Sequence, residues 1–101
     1  MSYRFEWNDD KARSNQIKHG ISFDEASTVF DDSLARIFDD GVHSINERRE
    51  IIIGHSINER MLLVSFAERT KEMIRIISAR SPTRKERKDY EKAVHRKSPK
   101  Q

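Results

Sequence analysis

Residues 73–87 read Met-Ile-Arg-Ile-Ile-Ser-Ala-Arg-Ser-Pro-Thr-Arg-Lys-Glu-Arg: an apolar strand carrying one arginine runs directly into a basic helix. Upstream of it, Met61 to Ala67 is nearly continuous apolar sequence, expected of a central strand covered on both faces. Only residues 68–72 separate the two runs, with Glu68-Arg69-Thr70-Lys71 as a polar turn too short for a crossover, so the strands are read as antiparallel neighbours. Earlier still, Arg49, Ile51, Ile53 and His55 alternate with Arg48, Glu50, Ile52 and Gly54, which predicts a third strand with two distinct faces. Leu34, Arg36 and Phe38 alternate into another strand that ends at the turn signal Asp39-Asp40-Gly41.

The N-terminal third supplies helices. Tyr3, Phe5 and Trp7 alternate with Arg4 and Glu6 as a short aromatic-faced strand. Asn8 then caps a helix with Asp9 and Asp10 in its first turn, Lys18 and His19 in its last and Gly20 at the left-handed C-terminal position. The apolar stripe of that helix is thin, mainly Ala12 and Ile17. Ser22-Phe23-Asp24-Glu25 is a capping box that opens a second short helix bearing Phe23, Ala26, Val29 and Phe30. Near residue 82, Ser81-Pro82 and the box Thr83-x-x-Glu86 compete to open the last helix. The expected fold is α+β, with two N-terminal helices packed on a twisted, mainly antiparallel sheet of four or five strands and a C-terminal basic helix. Residues 1–94 form one domain and residues 95–101 a basic tail.

At 101 residues the chain suits a single domain, and its 35% apolar against 37% charged composition describes a small, highly charged globule. It has no cysteine, so disulfides and thiolate metal sites are excluded and the cytoplasm is the natural compartment. No run approaches membrane-spanning length. Charge is unevenly spread: residues 80–101 hold nine Lys/Arg against three acids, net +6, while residues 1–79 hold eleven against fourteen, net −3. A basic end of this kind favours an anionic partner. A hexapeptide, His-Ser-Ile-Asn-Glu-Arg, occurs at 43–48 and again at 55–60, and reads as two similar strand-flanking turns.

The four histidines show no i,i+4 pair, so the sequence offers no metal-binding pattern, and neither a metal nor a cofactor is expected. Arginine is the notable residue type. Arg75 interrupts an apolar strand, which suits either a structural pair with an acid such as Glu47 or Glu50 or a phosphate clamp. Arg84, Arg87 and Tyr90 share a helix face at i,i+3 spacing while Arg80 approaches from the strand end, so they can converge on a phosphate or belong to an ordinary charged helix. His19 beside Lys18 is a proton-transfer candidate or a helix cap. One conflict stands out: Arg75 and Arg80 are five apart, and on a regular strand they face opposite sides. They can share a site only if the chain bends near Ser78-Ala79.

The ordered set Phe5-Glu6-Trp7, Asn15, Lys18-His19-Gly20-Ile21-Ser22-Phe23-Asp24-Glu25-Ala26, Val29-Phe30-Asp31-Asp32, Glu47-Arg48, Gly54 and Arg75-Ile76-Ile77-Ser78-Ala79-Arg80, with Arg84, Glu86-Arg87 and Tyr90, resembles the BrnT family over about residues 4–91. These are ribonuclease toxins of bacterial type II toxin–antitoxin pairs. The resemblance implies a RelE-like fold, metal-independent RNA cleavage that blocks translation, and a BrnA-type ribbon-helix-helix antitoxin that binds operator DNA together with the toxin. It places the family's functional residues on Lys18, His19, Glu47, Arg48, Arg75, Arg80, Arg84 and Arg87. The catalytic candidates are therefore Lys18, His19, Arg48, Arg75 and Arg80, with Arg84, Arg87 and Tyr90 binding RNA phosphates. The competing expectation is a non-catalytic basic module that binds an antitoxin partner or nucleic acid.

Overall fold

Local sequence signals account for most element boundaries. A computed structural model describes residues 3–96. In chain order it contains β1 (Arg4–Glu6), α1 (Asp9–His19), α2 (Phe23–Ser27) continued by a 3-10 turn over Thr28–Asp31, β2 (Arg36–Asp39), a 3-10 turn over Gly41–His43, β3 (Glu50–His55), β4 (Met61–Thr70), β5 (Met73–Arg80) and α3 (Arg84–Arg96). Asn8 Oδ1 accepts from the Lys11 amide at 3.0 Å, and Gly20 takes φ 70° as its N–H closes the helix on Gln16. At α3 the threonine box wins over Ser81-Pro82: Thr83 Oγ1 accepts from the Glu86 amide at 3.1 Å and Glu86 returns the bond to the Thr83 amide at 2.8 Å. Pro82 therefore precedes the helix instead of opening it. The helix runs through Arg96, two residues into the expected tail, and the rest of that tail lies outside the described residues.

The sheet has the order β1-β5-β4-β3-β2. Strands β2 to β5 form the expected antiparallel meander, while β1 adds a parallel edge beside β5. One face carries α1 and α2, with Ile21, Phe23, Ala26 and Val29 buried against Ile52, Val64, Phe66 and Ile76. On the other face α3 covers only the β2–β4 half, setting Tyr90 and Val94 on Ile53 and Leu63. That asymmetry leaves the β5 half of this face open.

Two details differ from the sequence expectation and both position β5. Ile17 is 88% exposed, so it contributes nothing to holding α1. Buried Asn15 does so instead: its side chain donates to the Ala79 carbonyl at 2.9 Å, accepts from the Ala79 amide at 3.0 Å and donates to the Ile21 carbonyl at 3.0 Å. Beyond the end of β1 this side chain takes the place of a strand and satisfies the outer edge of β5. The second detail is a register shift in which Phe66 pairs with Ile76 but Ser65 pairs with Ser78, leaving Ile77 as an extra residue. After that bulge the buried positions on the helix-covered face run Ile74, Ile76, Ala79. The alternation has slipped by one, and Arg75 and Arg80 come to the same face.

Gly54 is required by close approach: a Cβ there would meet Ala35 Cβ at 2.7 Å and Asp32 Oδ2 at 2.9 Å. The Asp32 carboxylate occupies that space because Oδ2 accepts from the His55 amide at 2.8 Å.

Candidate functional site

The open half-face is a groove built around Arg49. Three hollows meet there. The largest, of about 410 Å³, is walled by Arg80 and Glu86 at one end and by Asp40 and His43 at the other, with Ser65, Ile77 and Ser78 on its floor. A second holds His43, Glu47 and Arg49, and a third holds Glu47, Arg49, Arg75 and Lys11. Arg49 lines all three.

Each cation reaches the groove for a structural reason. Arg75 comes from the middle of β5 and donates through Nη2 to both Glu47 oxygens, at 2.8 and 2.7 Å. The structural pairing with Glu47 is thus formed, at the wall of an open hollow. Arg80 follows the bulge and makes a two-pronged pair with Glu86, at 2.9 and 3.0 Å. Those bonds hold the Glu86 carboxyl down at about 2, and the carboxylate in return pushes the arginine up. Arg49 lies 3.9 Å from Glu47, too far for a hydrogen bond. Among the described residues, the Nε–H groups of Arg49 and Arg75 are buried without a protein acceptor. The groove therefore presents Arg49, which has no close carboxylate partner among the described residues, beside Arg75 and Arg80, each held by a carboxylate that an incoming anion can replace.

The other sequence candidates stand elsewhere. Arg48 points away from the groove, 72% exposed, and pairs with Asp39 at 2.8 Å; its neighbour Arg49, which the resemblance passes over, is the inward one. Strand phase carried that signal, since Arg49 alternates with Ile51 and Ile53. Tyr90 is 5% exposed and sits in the core beside Ile53 and Leu63, where burial raises its hydroxyl above the ordinary tyrosine range. It is a packing residue and presents no surface to a phosphate. Arg84 and Arg87 are exposed on the first turn of α3, next to Glu86 but outside the hollows. Lys18 and His19 are exposed at the end of α1 and line none of the three hollows. Lys11, Asp40 and His43 are groove residues that the sequence candidates left out, and Glu47, which the resemblance did mark, lies there with them.

The second hexapeptide builds something different. Glu25, buried under the β3–β4 turn, accepts from Ser56 Oγ at 2.7 Å and from Arg60 Nε at 2.9 Å, and also pairs with Arg60 Nη2. It does not return the capping bond to Ser22 because these partners take it. Arg60 holds its carboxyl at about 2.

The family model for the ribonuclease toxin BrnT of type II toxin–antitoxin systems matches residues 7–86. The chain belongs to the BrnT family. Among solved structures it is similar to the ribonuclease toxin BrnT of Brucella abortus, at 22% identity and a TM-score of 0.63, covering 82% of this chain and all of that one. That likeness supports the α+β fold of three helices and a five-stranded mixed sheet. Among curated proteins, none matches the sequence. The BrnT family is defined by type II toxin–antitoxin systems, so an antitoxin is the partner class that membership carries. No helix among the described residues is long and apolar enough to cross a membrane.

Proposed function

We propose that the chain is an endoribonuclease toxin that cleaves RNA without a metal and thereby inhibits translation in the cytoplasm. The observation that carries this reading is the bulge at Ile77, which brings Arg75 and Arg80 to one open groove around Arg49 in a chain of a ribonuclease family. Such cleavage uses the substrate's own 2′-hydroxyl as nucleophile, a base to deprotonate it and cations to stabilise the crowded phosphorane. Arg49, Arg75 and Arg80 supply the cations. Glu47, held by Arg75, is the base that faces the same hollow. Arg84 and Arg87 bind flanking phosphates from the first turn of α3.

A RelE-like arrangement, a BrnA-type ribbon-helix-helix antitoxin and operator binding through the complex belong to the same reading. A second reading is favoured by the carboxylates that already hold Arg75 and Arg80: the groove serves only to dock an antitoxin. The distinguishing experiment incubates the full chain with a short RNA in EDTA. Products ending in a 2′,3′-cyclic phosphate and a 5′-hydroxyl support the nuclease. Binding without cleavage, or cleavage abolished by chelation, rejects it.

A further inference from the structure

Opposite the arginines, the groove carries a second pair that none of these roles uses. Asp40 and His43 lie on the turn between β2 and β3, with His43 Nδ1 at 3.1 and 3.0 Å from the two carboxylate oxygens of Asp40. An ionised carboxylate only accepts, so Nδ1 is the donor and Nε2 is the free nitrogen of the ring. Asp40 is largely buried while the His43 side chain is 64% exposed, which makes the acid the fixed partner and the imidazole the accessible one.

The turn is fastened to the sheet. Ser44 Oγ donates to the Asp40 carbonyl at 2.7 Å and accepts from the Arg49 amide at 2.9 Å, and the Asp40 amide donates to the Arg49 carbonyl at 3.0 Å. His43 is thereby tied through Asp40 and Ser44 to the backbone of the arginine at the centre of the groove. The charged groups facing the same space are Asp40, Arg49, Arg80 and Glu86 in the larger hollow and Glu47 in the second.

We propose that His43, oriented by Asp40, is the general acid of the cleavage and protonates the departing 5′-oxygen. This rests on the ribonuclease reading above. In the step, the 2′-oxygen gives its proton to Glu47 and forms the new bond to phosphorus. The phosphorus–5′-oxygen bond breaks, its electron pair stays on that oxygen, and the proton on His43 Nε2 moves to it. The products are a 2′,3′-cyclic phosphate and a 5′-hydroxyl; Glu47 then returns its proton to water and neutral His43 takes one up. Histidine suits the task because it both gives and takes a proton near neutral pH, and the Asp40 carboxylate on Nδ1 fixes how the ring is turned.

The test compares two short RNA substrates, one with the natural 5′-oxygen at the cut and one with a bridging 5′-sulfur, a leaving group that needs no proton. His43→Gln in the full chain is expected to slow the natural substrate by about 10²-fold or more and to cleave the sulfur substrate at close to the wild-type rate. The alkaline fall of the wild-type rate on the natural substrate should disappear in His43→Gln. Arg49→Ala should slow both substrates. Equal loss on both substrates in His43→Gln assigns the residue a structural role and overturns the proposal, as does unchanged cleavage of the natural one. If the wild-type chain cleaves neither substrate, the ribonuclease reading itself fails and the general acid falls with it.

Discussion

The same six residues, His-Ser-Ile-Asn-Glu-Arg, do opposite things at 43–48 and 55–60. In both copies the serine hydroxyl ties the turn and the histidine lies near an aspartate, Asp40 for His43 and Asp32 for His55. The charged pair is used in reverse. At 55–60 the arginine turns inward to close on buried Glu25, while Glu59 is exposed at φ 63°. At 43–48 the glutamate turns inward to Arg75, while Arg48 stands exposed on Asp39. What decides is the neighbouring element: α2 presents a carboxylate to one copy, and β5 presents an arginine to the other. One turn is covered and stabilises the fold, and the other lines a groove that a substrate can enter.

Substitutions that separate these two uses test the contrast. The largest effect is expected from Glu47→Gln, which should slow RNA cleavage by about 10²–10⁴-fold while leaving the urea midpoint near wild type. Next is Glu25→Gln, which should lower Tm by about 4–8 °C, the shift that about 1 kcal/mol produces in a domain of this size, because Arg60, the charge left without its partner, stays half exposed, with cleavage retained at low temperature. A third effect follows from acid. Glu25 and Glu86 both have folded values of about 2 against an ordinary 4.5, so their contribution is fully present above about 4.5 and is lost as pH falls toward 2. Thermal melts should show that loss, and Glu25→Gln should make its own part of it disappear. The smallest effect is expected from Arg48→Ala, because a pair this exposed contributes little, and neither melting nor cleavage should change measurably. A large loss of cleavage in Arg48→Ala would break the comparison.

Much of this architecture was legible in the residues. The Asn8 cap, the Gly20 terminator and the strand over Glu50–His55 each have a local cause and form as expected, and of the two rival starts near residue 82 the Thr83 box is the one that forms. The parallel placement of β1 was not legible, since three residues of alternation do not say which strand they join. The Ile77 bulge was visible only as a conflict: five-residue spacing set Arg75 and Arg80 on opposite faces, and the extra residue that reconciles them lies in an unbroken apolar run. Tyr90 stands at i,i+3 from Arg87, which suggests a shared basic face, but it also stands at i,i+4 from Val94, and that relation marks the packed face of α3. Alternation also distinguishes Arg49 from Arg48, since Arg49 falls on the same side as Ile51. Asn15 carried no signal of its own, because a polar residue on a thin helical stripe reads as solvent-facing until the strand edge it satisfies is known.

In the proposed function the groove around Arg49 performs the cleavage and the exposed end of α1 does not. Single-turnover cleavage of one short RNA by Arg49→Ala and by the double variant Lys18→Ala/His19→Ala tests it most directly. Loss of about 10²–10³-fold in Arg49→Ala, with near wild-type cleavage in the double variant, is the predicted result. Cleavage that survives in Arg49→Ala and vanishes when Lys18 and His19 are removed would contradict it.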